Sequence, residues 1–229
     1  SSSLSDLPIQ YVDFAHWQRQ YLNDGVLESQ LSYWQQQLAD APAVLELPTD
    51  YPRPTVQTFQ GSVVPFRLEA ELSQKLQTLS QQSGTTLFVT LLSAFAVLLY
   101  RYSQMDDIVV GSPIANRNRR EIEPLIGFFV NTLLLRTNLA GNPKFSEILD
   151  QVHHTALDAY AHQDLPFEKL VEALNPERNL SHHPLFQVMF VLQNATANAL
   201  ELPDIHFSPV HLERRIAKFD LTLSMRETS

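Results

Sequence analysis

The stretch IGFFVNTLLLR, residues 126–136, decides how the rest of the chain is read. An apolar run is interrupted only by Asn131 and Thr132 at its middle. A strand buried on both faces reads as a near-continuous apolar run, so this stretch is predicted to be the central strand of a sheet. A carboxamide placed there is costly to bury unless its atoms find partners. Asn131 therefore either ties down a neighbouring backbone or faces a ligand channel.

Working outward, residues 107–114 (DIVVGSPI) read as a short buried-type strand, separated from the first by a polar, charged loop at 116–123. On the far side, residues 138–144 turn the chain into a helix over 145–161, where Phe145, Ile148, Leu149, Val152, Ala156, Ala159 and Tyr160 share one face. Upstream, the helix predicted over 87–102 is apolar almost all round, the pattern of a helix buried in a large core. A membrane span is the rival reading, and Thr90, Ser93, Arg101 and the short length argue against it. Thr85 and Thr86 supply caps for that helix. Gly84 ends another over 69–83, which carries Leu72, Leu76 and Leu79 at helical spacing.

Residues 61–68 have the look of a strand that Pro65 confines to an edge or a bulge. At the N-terminal end, an amphipathic helix over 9–22 is expected to break at 23–25, and a second follows through Leu27, Leu31, Trp34 and Leu38. Prolines at 42, 48, 52 and 54 make residues 42–55 an extended surface connection. The chain thus divides into helices and Pro-rich linker, 1–55, and a body, 56–229. Downstream come a short helix over 167–174, a loop over 175–184, and three strands over 185–193, 205–212 and 219–226. Together these predict an α/β fold, a layered mixed sheet with packing helices. No closing turn follows the last strand, so the fold is expected to be incomplete at that end.

Composition narrows the function. The 229 residues are 44% hydrophobic and 18% charged, those of an ordinary globular chain large enough for a sizeable core. A net charge of -9 argues against nucleic acid and anionic membrane as partners. With no cysteine there is no disulfide, thiolate metal site or cysteine nucleophile, which fits a cytoplasmic setting. Residues 1–6 lack the pattern of a secretion signal.

His153, His154 and Asp158 suggest a base and its orienting partner, but His154 and Asp158 lie opposite the apolar helical face and read as a solvated pair. His182 and His183 have no further ligand at metal-binding spacing and are expected in a loop or at a strand start. Ser112 lacks the second glycine of a nucleophile elbow. Arg117, Arg119 and Arg120 form a compact basic cluster that suits a phosphate, although Glu121 and Glu123 stand ready to neutralise it and a solvated loop is the simpler reading. In HQDLPFE, residues 162–168, Asp164 is predicted to cap a helix opening at Pro166, with Glu168 in its first turn. Capping alone does not require His162 and Gln163.

Four segments in order resemble the condensation domains of nonribosomal peptide synthetases. YVDFAHW at 11–17 is similar to that family's Y-x-D-F-A-x-W, and IGFFVNT at 126–132 to its G-x-F-V-N-T. HQDLPFE at 162–168 is similar to H-Q-D-x-P-F-E, and RNLSHHPL at 178–185 to R-D-x-S-R-N-P-L. The last departs at Asn179, His182 and His183. The family's H-H-x-x-x-D-G signature, which carries the condensation histidine, has no counterpart here. HHTALDA at 153–159 imitates it, but after the G-x-F-V-N-T segment and with Ala159 in place of glycine.

The resemblance implies one lobe, the C-terminal one, of a two-lobed chloramphenicol-acetyltransferase-like fold, truncated at both ends. It implies amide formation between carrier-bound aminoacyl or peptidyl thioesters in a tunnel between lobes, with the catalytic histidine upstream and this chain inactive alone. Ser112, Gly127, Asn131, Thr132, His162, Gln163, Asp164, Arg178 and Ser181 are expected to line or support the tunnel. No cofactor or metal is expected; the phosphopantetheine arms of carrier domains are substrates. Implied partners are the N-terminal lobe, upstream and downstream carrier domains and an adenylation domain. A noncatalytic carrier-docking platform and a lobe of a coenzyme A-dependent acyltransferase are the alternatives.

Overall fold

The computed structural model describes residues 6–177, 179–193, 210 and 215–227, with the backbone alone at Asp24. Its elements are α1 (Tyr11–Tyr21), α2 (Leu27–Gln37), α3 (Ala70–Gln82), α4 (Leu87–Ser103), β1 (Asp107–Ile114), β2 (Asn131–Asn138), α5 (Phe145–Ala161), α6 (Phe167–Leu174), β3 (Val188–Gln193) and β4 (Leu221–Arg226). The strands make one mixed sheet in the order β2-β1-β3-β4. β1 and β2 are antiparallel from Asp107 opposite Asn138 to Ile114 opposite Asn131. β3 runs parallel to β1, meeting it at Gly111 and Met189, and β4 runs parallel to β3. A parallel pair needs a crossover, and α5 and α6 lie within the one between β1 and β3.

The deciding stretch is corrected in two respects. The strand starts at Asn131 rather than Ile126, and among the described residues it lies at the edge of the sheet rather than at its centre. Its apolar sequence reflects cover from above, not neighbours on both sides: α5 packs on β2, and Leu133, Leu134 and Leu135 are buried. Residues 126–130 precede the ladder, with Ile126 96% exposed and Phe129 3% exposed.

Three other expectations change. Helices α1 and α2 are not separated at residues 23–25 but joined by a π-helical turn, Leu22–Val26. Within it the Leu27 N–H reaches back to the Leu22 carbonyl, and Gly25 takes a φ of +82° that suits a residue without Cβ. Helix α4 is not buried all round, since Leu98 and Tyr102 face outward while Leu92, Ala96 and Leu99 fill the core. Residues 61–68 form no strand among the described residues. A single bridge, Gln60 to Ile216, is the nearest pairing, and Pro65 withholds one of the donors a ladder needs. The strand expected over 205–212 falls, apart from Val210, outside the described residues.

The Pro-rich connection is extended, and buried polar groups fix its course. Gln187, 3% exposed, accepts from the Leu45 N–H at 2.8 Å and donates to the Ala43 and His183 carbonyls at 3.0 Å each. Arg53 makes a two-pronged pair with Asp220 just before β4. Arg136 on β2 pairs with Asp107 on β1 at 2.9 and 2.7 Å and donates to the Gln37 and Ala39 carbonyls. One guanidinium thus fastens the strand pair and closes the end of α2. Segment 1–55 shares the core of the body, with Trp34 and Leu45 buried in the main apolar cluster.

Gly111 is where β1 passes closest to the aromatic core. A Cβ there would meet the Phe186 ring at 2.3 to 2.7 Å, and Phe186 is 2% exposed. Gly111→Ala is expected to lower stability by roughly 1–3 kcal/mol, as overpacking does. Chemical denaturation reads this directly; an unchanged midpoint would mean that the ring yields and the contact is not restrictive.

Candidate functional site

The site is built from loop 161–167, which joins α5 to α6 beside the first residue of β2. The Asn131 carboxamide is 7% exposed and holds this loop from inside. Its Nδ2 donates to the Gln163 carbonyl at 2.9 Å and the Leu165 carbonyl at 2.8 Å. Its Oδ1 accepts from the Thr132 and Phe167 N–H groups, each at 2.9 Å. Both amide hydrogens and both lone pairs are thereby used, which removes the cost of burying the group. Of the two roles open to Asn131, tying down neighbouring backbone is the one its contacts display.

A second buried amide works from the other side. Gln30, 7% exposed on α2, accepts from the Leu165 N–H at 3.3 Å and donates to the Ala161 carbonyl at 3.4 Å. Trp34 donates to the His162 carbonyl at 2.9 Å, and Tyr33 stacks on the His162 ring at 3.9 Å. His162 Nδ1 lies 2.8 Å from the Asp158 carbonyl, and Gln163 Nε2 donates to the Tyr160 carbonyl at 2.8 Å. Asp164 accepts from the Tyr21 hydroxyl at 3.3 Å, and burial together with this carboxylate raises the Tyr21 pKa. Asp164 is therefore not the cap predicted for α6. Pro166 occupies that position, and Asn131 Oδ1 takes the N–H of the helix's first residue, Phe167.

An aromatic shelf adjoins the loop. Phe14 packs on Phe129 with centroids 4.7 Å apart, and Tyr11 meets Phe129 edge-on at 5.2 Å. Gly127 lies under Tyr11, where a Cβ would come within 2.3 Å of the ring, and the Tyr11 hydroxyl donates to the Phe128 carbonyl at 3.0 Å. Arg117 sits 4.2 Å above the Phe129 ring and caps the Ile122 and Glu123 carbonyls; Arg119 sits 4.2 Å above Trp17. Two arginines of the basic cluster thus lie on aromatic faces, Arg117 half-buried and Arg119 still exposed to solvent, rather than paired with Glu121 or Glu123.

Gly127, Asn131, Thr132, His162, Gln163 and Asp164 come together in this region. Ser112 is 4% exposed and its hydroxyl donates to the Phe190 carbonyl of β3 at 3.0 Å, so it joins strands. Ser181 lies with the Pro-rich connection, its carbonyl accepting from Arg53 at 3.4 Å. Arg178 is outside the described residues. The solvated pair expected between His154 and Asp158 is not formed: His154 turns back to Asp150, 3.5 Å to its carboxylate and 2.8 Å to its carbonyl. Among the described residues no group of acidic and histidine side chains is arranged to hold a metal ion.

Gln30, Tyr21 and Tyr33 were not anticipated in the site. Gln30 had a signal, because it shares the helical face of Leu27, Leu31 and Trp34, where an apolar residue is expected. A polar cleft of about 540 Å³ lies beyond the loop between α2, β2 and α5, lined by residues that include Tyr33, Gln37, Asn138 and Asp158. The Tyr33 hydroxyl is buried without a hydrogen-bond partner among the described residues, and burial, then the Asp158 carboxylate, push its pKa up to about 12.

An α/β lobe with a mixed open sheet, whose G-F-F-V-N-T segment is tied to an H-Q-D-L-P-F-E loop, has a chloramphenicol-acetyltransferase-like fold. The family model for the condensation domain matches residues 1–229. A linear gramicidin synthase from Brevibacillus parabrevis is 55% identical over 228 residues, 99% of this chain and 4% of that protein. The X-domain from teicoplanin biosynthesis superposes with a TM-score of 0.88 at 30% identity, over 99% of this chain and 52% of that one. A holo four-domain nonribosomal peptide synthetase bound to AMP and glycine gives a TM-score of 0.85 at 29% identity, over 100% of this chain and 18% of the other. The chain belongs to the condensation-domain family of nonribosomal peptide synthetases. It spans about half the length of the teicoplanin X-domain chain and a few per cent of the gramicidin synthase. No single helix among the described residues is long and apolar enough to cross a membrane.

Replacing Asn131 by Ala orphans two N–H groups and two carbonyls, each costing roughly 1–3 kcal/mol when left buried and unpaired, with incomplete additivity. Asn131→Ala is expected to destabilise by at least ~2 kcal/mol, and Gln30→Ala by less, since both of its bonds are longer. Equilibrium unfolding of the two variants checks the order.

His183 supplies a pH dependence. Its ring packs among Phe167, Phe186 and Phe219, with Nδ1 2.9 Å from the Pro184 carbonyl. Burial lowers its pKa below the usual 6.5, the Pro184 bond opposing and the neighbouring His182 adding to the shift. The unfolded chain then binds the proton more readily than the folded one. Stability from this group is complete above about pH 6.5 and is lost as pH falls through the depressed folded value. NMR titration should place the His183 midpoint below 6.5; a midpoint at or above it contradicts the packing argument.

Proposed function

We propose that this chain is the C-terminal lobe of a condensation domain and that, completed by the remaining half, it joins two carrier-bound substrates through an amide bond. The amine of an acceptor aminoacyl group attacks the thioester carbonyl of a donor aminoacyl or peptidyl group. A C–N bond forms, the C–S bond breaks, and the donor's phosphopantetheine thiol leaves with the proton released by the amine. The observation that carries this reading is the condensation-domain match along all 229 residues together with the Asn131-centred junction of two of the family-like segments.

The lobe's share of this chemistry is positional. A thioester is already activated, and holding two reactants in register supplies much of the acceleration. Asn131 spends its hydrogen-bonding capacity on loop 161–167, so its role is to hold the wall in shape rather than to touch the acyl groups. His162, Gln163 and Asp164 stand half-buried on the loop it fixes, each held by an internal partner. Upstream and downstream carrier domains, each presenting a phosphopantetheine arm as substrate, and an adenylation domain are the partners this reading requires, in a cytoplasmic assembly line. The histidine that assists attack belongs to the other lobe, and this chain alone is inactive.

Condensation of carrier-bound aminoacyl thioesters, measured by mass spectrometry, tests the reading. The complete domain is expected to form the amide and the chain alone to form none. Turnover by the chain alone would refute the division of labour. Carrier binding without condensation by the complete domain would favour a docking platform, and carrier-independent transfer from acyl coenzyme A would favour the free-standing acyltransferase.

A further inference from the structure

One arginine of the 117–120 cluster is held in place with its donors unspent. The Arg119 guanidinium lies 4.2 Å above the Trp17 ring, and Trp17 stacks in turn on Tyr21 with centroids 5.0 Å apart. Among the described residues it forms no ion pair and its side-chain N–H groups meet no acceptor, whereas Arg117 is spent on the Ile122 and Glu123 carbonyls. Stacking fixes the plane of a guanidinium and leaves its in-plane donors open, the arrangement that receives an oxyanion. Trp17 also lines a shallow hollow with Gln18, Tyr21, Asn116, Asn118 and Asp164. At about 10 Å³ it is too small to enclose a ligand and suits a chain lying across its rim. The carboxamides of Asn131, Gln30 and Gln187 are all spent on backbone, but those of Gln18, Asn116 and Asn118 make no hydrogen bond among the described residues.

We propose that Arg119 and this amide rim hold one of the phosphopantetheine arms, Arg119 on its phosphate and the carboxamides on its amides, an inference that rests on the function proposed above. The phosphate is the arm's charged group, and on a chain of net charge -9 an anionic tether needs a fixed cation to draw it in. A guanidinium with its fork open meets phosphate oxygens through paired, charge-assisted hydrogen bonds. Beyond the phosphate the arm carries amides, and a carboxamide side chain offers each of them both a donor and an acceptor. Both faces of Trp17 are taken, one by Arg119 and one by Tyr21, so no ring face is left for a nucleobase. That sets a carrier-borne arm apart from coenzyme A. Asp164, the carboxylate of the hollow, is engaged by the Tyr21 hydroxyl rather than by Arg119.

The test compares aminoacyl thioesters of 4′-phosphopantetheine with those of pantetheine, which lacks the phosphate, as substrates of the complete domain. Each is supplied first in place of the donor and then in place of the acceptor, the other substrate staying on its carrier. In one of the two positions kcat/KM is expected to favour the phosphorylated arm by roughly tenfold, a preference that Arg119→Ala reduces to about twofold or less. The position in which this happens identifies the arm. Arg119 is exposed, so a retained thermal transition is expected for the variant. A preference that survives Arg119→Ala, or that changes equally in both positions, overturns the proposal. So does inorganic phosphate that competes as well as 4′-phosphopantetheine, which would reduce the site to a bare anion contact. Binding of 4′-phosphopantetheine, read by calorimetry on the same preparations, separates this site from the functional reading. Arg119-dependent binding in a domain that forms no amide sinks the functional reading alone. Amide formation with a preference indifferent to Arg119 sinks the arm site alone.

Discussion

A single carboxamide sets the geometry on which this lobe depends. Asn131 stands where the outer strand begins, and its four hydrogen bonds reach the backbone of loop 161–167, the first N–H of α6 and its own neighbour, Thr132. Sheets and helices satisfy their own backbone groups, but a loop packed against a sheet edge cannot, and unpaired polar backbone away from water is costly. A side chain with two donors and two acceptor sites is the compact solution. The position of α6, the course of the loop at Gln163 and Leu165 and the start of the sheet's outer strand are coupled through that one group.

The same device recurs wherever irregular backbone is drawn into the core. Gln30 holds the loop from the side of α2, and Gln187 ties the Pro-rich connection to β3. Amides suit these places better than charges, because a buried carboxylate or ammonium would need a counterion as well as hydrogen bonds. Where charges are used, at Arg136 with Asp107 and at Arg53 with Asp220, they are only partly buried and also serve nearby backbone carbonyls. The stabilising logic is one of backbone satisfaction, and it explains why polar residues interrupt otherwise apolar segments.

This logic also marks how far the sequence could be read. Helices α3, α5 and α6 and strand β1 were legible because their apolar spacing reports a local period directly. Residues 126–136 were misleading because burial by a covering helix and burial by flanking strands leave the same apolar record, so an edge strand passed for a central one. Residues 61–68 carry a strand's composition, yet a ladder depends on a neighbour that composition does not encode. The turn at 22–26 contains Asn-Asp-Gly, a breaker by propensity, but one extra residue in the turn absorbed the glycine and kept the helices joined. In the site, Asn131 announced itself as a polar residue in an apolar run and Gln30 carried the same mark on the apolar face of α2, whereas Tyr21 reaches Asp164 across 143 residues of sequence.

The division of polar groups bears on mechanism. The site residues whose partners are seen, Ser112 on Phe190, Asn131 on the loop and Gln163 on Tyr160, are occupied with internal backbone. Groups so engaged are poor proton carriers, since releasing them to act would orphan the partners they satisfy. They are well suited to a different task, keeping a surface in fixed shape while a substrate passes along it. In the function proposed above, preorganisation of this kind would lower the cost of bringing two tethered reactants together without this chain forming or breaking a bond itself. Polar side chains committed in this way to the chain's own architecture give it, in the function proposed above, a share made of shape and positioning.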